Sequence, residues 1–279
     1  MERPGTGIIA GVADIEERTA RRQHMYGTRD LAALPVFAGG FINFGYWRDV
    51  DLSGPITVEQ RVATQEALYD VVLDALALRP GDRVVEVGCG HGVGTRRALR
   101  HDPALVRGLD LVPEQVARAT AANDDPRVAF ARGAAHDMPF DDGAFDALLS
   151  VEAAQHFEDV AGFAREGARV LAGGGRFALT TFFATSAAAA PELVAAVESF
   201  ATGLDLAHPV DDVLGHLRAA GFADVAAVSI GEHVWRGLDR WLELGPRPDH
   251  WDRAYHRAAR RGLVDYYLVT ARKPAGSGV

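Results

Sequence analysis

The chain contains one cysteine, Cys89, and one lysine, Lys273, among its 279 residues. A single cysteine excludes an intrachain disulfide and any metal site built from several thiolates. It suits a reducing compartment, so a cytoplasmic location is expected. No apolar run reaches the roughly 18 residues of a membrane span, and no membrane association is expected. The first residues, Met1-Glu2-Arg3-Pro4, do not begin a signal-peptide-like apolar stretch. Positive charge is also in deficit, with 38 acids against 29 bases and a net charge of −9. Such a surface repels phosphate backbones, so a nucleic acid partner is not expected. What is present is 48% hydrophobic and 24% charged, the balance of a globular protein with a sizeable core.

Four stretches can be distinguished along the chain. Residues 1–56 combine a polar helical arm with a Gly- and aromatic-rich loop, Phe37-Ala-Gly-Gly-Phe41-Ile-Asn-Phe44-Gly-Tyr46-Trp47. Residues 57–183 open with a helix whose Thr57 and Gln60 have capping-box spacing. Strand-like runs follow at 83–87, 106–111, 127–131, 145–150 and 176–183, with helical stretches at 92–100, 113–122 and 158–171 between them. This alternation predicts an α/β fold with a parallel sheet and crossover helices. Residues 184–264 hold two insertions, expected to cover the carboxyl edge of the sheet, around a helix and strand at 210–230. Residues 265–279 give a last strand and a tail.

The informative segment is Val84-Val85-Glu86-Val87-Gly88-Cys89-Gly90-His91-Gly92, a strand entering a glycine turn before a helix. Glycines there let the backbone approach a nucleotide-like ligand. The dinucleotide fingerprint fails, because its third small residue would be Val93 or Thr95. No lysine is present for a phosphate-binding loop. An acid two residues before the first glycine suits a ligand bearing ammonium and sulfonium charge rather than a pyrophosphate. Asp110, at the end of the second strand, can accept both hydroxyls of a ribose.

Glu86-x-Gly88-x-Gly90-x-Gly92 followed by Asp110 resembles the class I S-adenosylmethionine-dependent methyltransferases. So do Leu109-Asp110-Leu111-Val112-Pro113-Glu114-Gln115, Gly133-Ala-Ala-His-Asp-Met-Pro139-Phe140, Asp141-Asp142-Gly143-Ala144-Phe145-Asp146 and Arg169-Val-Leu-Ala-Gly-Gly-Gly175. The aromatic loop at 41–47 and Ser150-Val-Glu-Ala-Ala-Gln155-His156-Phe157 narrow the likeness. They are similar to small-molecule methyltransferases of natural-product pathways, near the tocopherol, sterol and sugar enzymes. The resemblance implies a Rossmann-like, seven-stranded, mostly parallel sheet with an N-terminal arm and lid insertions. It also implies methyl transfer to oxygen, nitrogen or carbon of a small acceptor. Cyclisation on the same fold is an alternative, and a nicotinamide-dependent oxidoreductase a remote one.

The residues implied for the cofactor are Tyr46, Glu86, Gly88, Cys89, Gly90, Asp110, Leu111, Gln115, Ala135, His136 and Val151. Glu86 would meet the methionyl end or form a structural ion pair, and Gln115 would pack on the adenosine or lie on the helix surface. His156 is the candidate general base, since a neutral imidazole can take a proton near pH 7. Gln155, Trp235 and Trp241 are candidates for the acceptor wall, while the tryptophans can equally pack their insertion onto its own domain. Two departures from the family stand out. Ala134 replaces the acid that contacts adenine, with Asp137 or a backbone carbonyl as substitutes. Gln155 and Thr181 occupy the positions where some relatives carry a first histidine and an acid. His233, His250 and His256 lack His-x3-His spacing, so no metal is expected. A monomer and a homodimer both accommodate the arm, which can cap its own chain or a partner.

Overall fold

The computed structural model describes residues 10–29, 31–34, 36–245 and 253–275, with side chains from Ile15 onward. His250 and Trp251 lie outside the described residues. The strands are β1 (Arg83–Val87), β2 (Leu105–Asp110), β3 (Val128–Arg132), β4 (Phe145–Val151), β5 (Leu171–Ala184), β6 (Ala223–Ser229) and β7 (Val264–Arg272). They form one sheet of order β3-β2-β1-β4-β5-β7-β6. β1 to β5 run parallel, and β7 lies antiparallel between β5 and β6. The interior runs of β1, β4 and β5 are almost wholly buried, as expected of strands covered on both faces.

β5 begins earlier than the sequence pattern predicts. Gly174 has φ 80°, and its N–H donates to the Lys273 carbonyl at 3.0 Å. The register with β4 shifts between Phe145 and Ala147, so the expected glycine turn becomes an irregular extension of the strand.

The helices are α1 (Ala10–Arg22), α2 (Val58–Leu76), α3 (Val93–Arg97), α4 (Pro113–Ala122), α5 (Val160–Val170), α6 (Ala190–Ala196), α7 (Glu198–Ala201), α8 (Val210–Ala219), α9 (Trp235–Leu244) and α10 (Arg253–Arg260). α2 starts on the expected capping box: Gln60 N–H donates to Thr57 Oγ1 at 3.2 Å, and Thr57 N–H to Gln60 Oε1 at 2.9 Å. Two apolar clusters form the core, one holding Phe163 and Phe177, the other Leu68, Phe44, Phe182, Trp235 and Tyr255.

The loop at 36–47 has no regular structure, and buried side chains of α2 hold its backbone. Arg61, fully buried, donates to the carbonyls of Val36 at 3.2 Å, Phe44 at 3.1 Å and Asn43 at 2.6 Å. Gln65 Nε2 donates to the Phe41 carbonyl at 3.1 Å. Trp47 lies against Gly237 of α9, where an added Cβ would come within 2.0 Å of the indole. The loop is therefore clamped between α2 and α9. The arm folds over its own chain, continuing from α1 through a π-helical turn, Gln23–Thr28.

Candidate active site

The carboxyl ends of β1, β2 and β4 open into a cavity of about 360 Å³ beside the point where strand order reverses. Gly88 turns the chain out of β1 at φ 80°. A Cβ there would strike that of Ala153 at 2.2 Å, whereas one on Gly90 would meet nothing within 4 Å. Packing therefore requires glycine at 88, and the open cradle at 90 leaves room for a ligand. Asp110 closes the floor. Its Oδ2 accepts Gly90 N–H and its Oδ1 accepts Val112 N–H, both at 2.9 Å. Burial pushes its carboxyl above the ordinary value, against these hydrogen bonds.

Of the residues expected at the cofactor, Gly88, Cys89, Gly90, Asp110, Leu111, Gln115, Ala135, His136 and Val151 line this cavity. Gln115 lines the cavity but is only 2% exposed, and its buried Oε1 has no hydrogen-bond partner. Ala134 lines the wall, while the exposed Asp137 does not.

Glu86 and Tyr46 lie elsewhere. Glu86 is fully buried behind the wall, where Tyr69 O–H donates to its Oε1 at 2.9 Å and Thr95 O–H to its Oε2. Burial pushes its carboxyl up to about 7, against the hydrogen bonds from Thr95 and Tyr69. Tyr69, its hydrogen-bond donor, lines the cavity, whereas Glu86 does not. Tyr46 packs edge-on against His233, and Gly40, Phe41 and Ile42 of the same loop line the cavity instead.

Gln155, Trp235 and Trp241 are also absent from the lining. Trp235 stacks on Tyr255 in the core, and Trp241 donates to the Val36 carbonyl at 3.3 Å. Trp235 thus belongs to the aromatic core with Phe44, Phe182 and Tyr255 rather than to the cavity.

His156 reaches the cavity wall in an orientation fixed by neighbours. Its Nδ1 faces two acceptors, the Leu204 carbonyl at 2.9 Å and Asp205 Oδ1 at 3.2 Å. Its Nε2 faces two donors, Tyr26 O–H at 2.8 Å and Gln155 Nε2 at 3.1 Å. Thr181 O–H donates to Gln155 Oε1 at 2.5 Å, and Gln155 Nε2 also donates to the Glu152 carbonyl at 3.0 Å. Two acceptors at Nδ1 and an amide donor at Nε2 favour the tautomer with its proton on Nδ1 and the Nε2 lone pair toward Tyr26. Burial holds the imidazole below its ordinary value, while Asp205 opposes that shift.

The arm caps its own chain, one of the two arrangements expected for it, but none of its residues was among the expected site residues. Ile15, Thr19, Arg22, Gln23 and Tyr26 line the cavity. Arg18 grips both oxygens of Glu158 at 2.9 Å, and Arg22 donates to Glu158 at 2.7 Å and to the Leu204 and Gly203 carbonyls at 3.1 and 3.0 Å. On the other side, Arg118 of α4 donates to the carbonyls of Tyr26 and Gly27 at 2.9 and 2.7 Å. Only the run of arginines in the arm could have hinted at this. Glu152 was missed as well. It lines the cavity at φ 45° and accepts Phe44 N–H at 2.5 Å and Tyr266 O–H at 2.6 Å. Among the described residues no group of three His, Cys, Asp or Glu side chains is placed to hold a metal ion, and no helix is long and apolar enough to cross a membrane.

A glycine cradle at a sheet switch point, an acid at the end of β2 and an unused acceptor on α4 fit S-adenosylmethionine, and residues 85–179 match the methyltransferase domain family. The chain is a class I S-adenosylmethionine-dependent methyltransferase. It is 29% identical to 27-O-demethylrifamycin SV methyltransferase of Amycolatopsis mediterranei, over 85% of this chain and 91% of that one. It is also 29% identical to erythromycin 3''-O-methyltransferase of Saccharopolyspora erythraea, over 85% and 84%. The crystal structure of the [4+2]-cyclase SpnF superposes with a TM-score of 0.69 at 25% identity, covering 91% of this chain and 97% of that one.

Proposed function

We propose that the chain methylates a hydroxyl oxygen of a secondary metabolite, with His156 drawing the acceptor proton through Tyr26. The observation that carries this is the 2.8 Å contact between His156 Nε2 and the hydroxyl of Tyr26, a phenol that itself lines the cavity. The names of the two curated relatives, both O-methyltransferases, support the choice of oxygen.

Asp110 and Gln115 would hold the adenosine hydroxyls and base edge, and Gly88 and Gly90 the methionyl backbone. Glu86 orders Tyr69 behind them. The cofactor supplies a methyl group already activated by its sulfonium. The protein's own part is placement and proton transfer. The arm and the loop at 40–42 close the cavity against water. Orientation of this kind supplies up to roughly 7–11 kcal/mol. The Tyr26 oxygen accepts from the acceptor hydroxyl while its own proton passes to Nε2.

The test is methyl-labelled S-adenosylmethionine with a panel of hydroxylated macrocycles and glycosides, including 27-O-demethylrifamycin SV. The expected products carry the label on oxygen, with one S-adenosylhomocysteine released per turnover. Label confined to carbon or nitrogen overturns the reading. Conversion of a panel member without S-adenosylhomocysteine favours cyclisation, the second reading, which the likeness to SpnF supports.

A further inference from the structure

Asp205 lies in the connection between α7 and α8, far from the family's recognisable motifs. It is 4% exposed. A carboxyl so placed costs stability unless its oxygens are engaged. One oxygen, Oδ1, sits 3.2 Å from His156 Nδ1. The other accepts the hydroxyl of Tyr255, a 1% exposed residue of α10 whose oxygen is also 2.6 Å from Ser199 Oγ. The segment is tied down beside the histidine, with Leu206 N–H donating to the Gln155 carbonyl at 2.8 Å and Asp205 N–H to the Ser199 carbonyl at 3.0 Å. The result is one buried polar chain, Ser199–Tyr255–Asp205–His156–Tyr26, running from the lid insertions to the cavity.

We propose that Asp205 is the positioning residue of the base: it holds the Nδ1–H form of His156 and stabilises the imidazolium that proton uptake creates. The inference rests on the proposed role of His156. The family position for such an acid is Thr181, which here serves Gln155, so the acid reaches the imidazole from a different element. The Leu204 carbonyl can hold the ring, but only Asp205 adds a charge that favours the protonated ring. The other groups around His156 are Tyr26 and Arg22 of the arm, Glu158, which pairs with Arg22, His208 at the Phe157 carbonyl, and Glu152 one turn upstream. Arg22 disfavours the imidazolium, and burial does so more strongly. Asp205 is the counterweight.

The experiment needs no acceptor. The full chain, labelled with ¹⁵N-histidine and saturated with S-adenosylhomocysteine, is titrated by NMR, with His156→Gln identifying the signal. Wild type should show His156 as the Nδ1–H form. Asp205→Asn should lower its titration midpoint by about one pH unit, as loss of an adjacent opposite charge does, and Asp205→Glu should restore part of it. An unchanged midpoint in Asp205→Asn overturns the proposal. Should that variant fail to fold, the wild-type spectrum still decides, because an Nε2–H form contradicts the proposal. Failure to bind S-adenosylhomocysteine would instead count against the cofactor assignment, and unchanged turnover in His156→Ala, measured separately with an acceptor, would overturn the base assignment and with it the role of Asp205.

Discussion

The Tyr26 hydroxyl and His156 Nε2 lie 2.8 Å apart, joining the N-terminal arm to the end of β4 across 130 residues of sequence. The bond puts a residue of the cover into contact with the candidate base. Tyr26→Phe removes the relay but keeps the ring, which packs edge-on to the imidazole at 5.3 Å. The expected result is a drop in kcat of about 10- to 100-fold with S-adenosylhomocysteine affinity unchanged. His156→Ala should cost more, within the roughly 10²–10⁴-fold range of a positioned base. Steady-state kinetics beside calorimetric titration separates the two quantities, and an equal loss in both would refute the relay.

Asp110→Ala should weaken cofactor binding at least about tenfold, because charge-assisted hydrogen bonds to the ribose are lost. The same change frees the N–H groups of Gly90 and Val112, which Asp110 now accepts. Titration of the variant with S-adenosylhomocysteine giving the wild-type Kd would refute the assignment.

Arg22→Ala should loosen the cover. Its guanidinium satisfies the Gly203 and Leu204 carbonyls and shares Glu158 with Arg18. Burial works against the Glu158 carboxylate, yet the two arginines hold it below the usual carboxylate range. Stranding those acceptors costs about 1–3 kcal/mol. Limited proteolysis should then cut the arm faster, and bound S-adenosylhomocysteine should leave faster. Unaltered cleavage would show that the arm is held by other contacts.

Stability should fall with rising pH. Burial lifts the Glu152 carboxyl from 4.5 to about 8 and that of Glu86 from 4.5 to about 7. A carboxyl raised on folding supports the folded state fully below its unfolded value. That support disappears as pH climbs through the folded value. The decline therefore spans pH 4.5 to about 8. Glu152→Gln keeps an oxygen for Phe44 N–H and Tyr266 O–H but removes the proton linkage. Its Tm should fall less than that of wild type across the interval. Parallel calorimetric slopes would contradict the buried, proton-linked state of Glu152.

The sheet was legible because parallel strands buried on both faces force short apolar runs between helical stretches, and β1 matches its predicted span. Gly88, Gly90, Asp110 and His156 were legible as motif positions. Tyr46 and the insertion tryptophans were not, since an aromatic residue looks alike whether it faces a ligand or a core. Here Phe44, Phe182 and Tyr255 took Trp235 inward. Glu86 announced a buried acid but not its partner, as Tyr69 comes from α2, a separate stretch of sequence. Tyr26 and Asp205 sit in segments without a motif, and only folding brings them to the same imidazole.

Arg61 holds the course of the loop at 36–47 through main-chain oxygens. Every residue type offers the same oxygen, so the clamp is blind to what the loop displays. Ile42, which faces the cavity, can be exchanged while the three clamped carbonyls stay in place. A wall built in this way can drift toward new acceptors under selection without first sacrificing its shape, and the invariant partner in that drift would be a guanidinium the acceptor never touches.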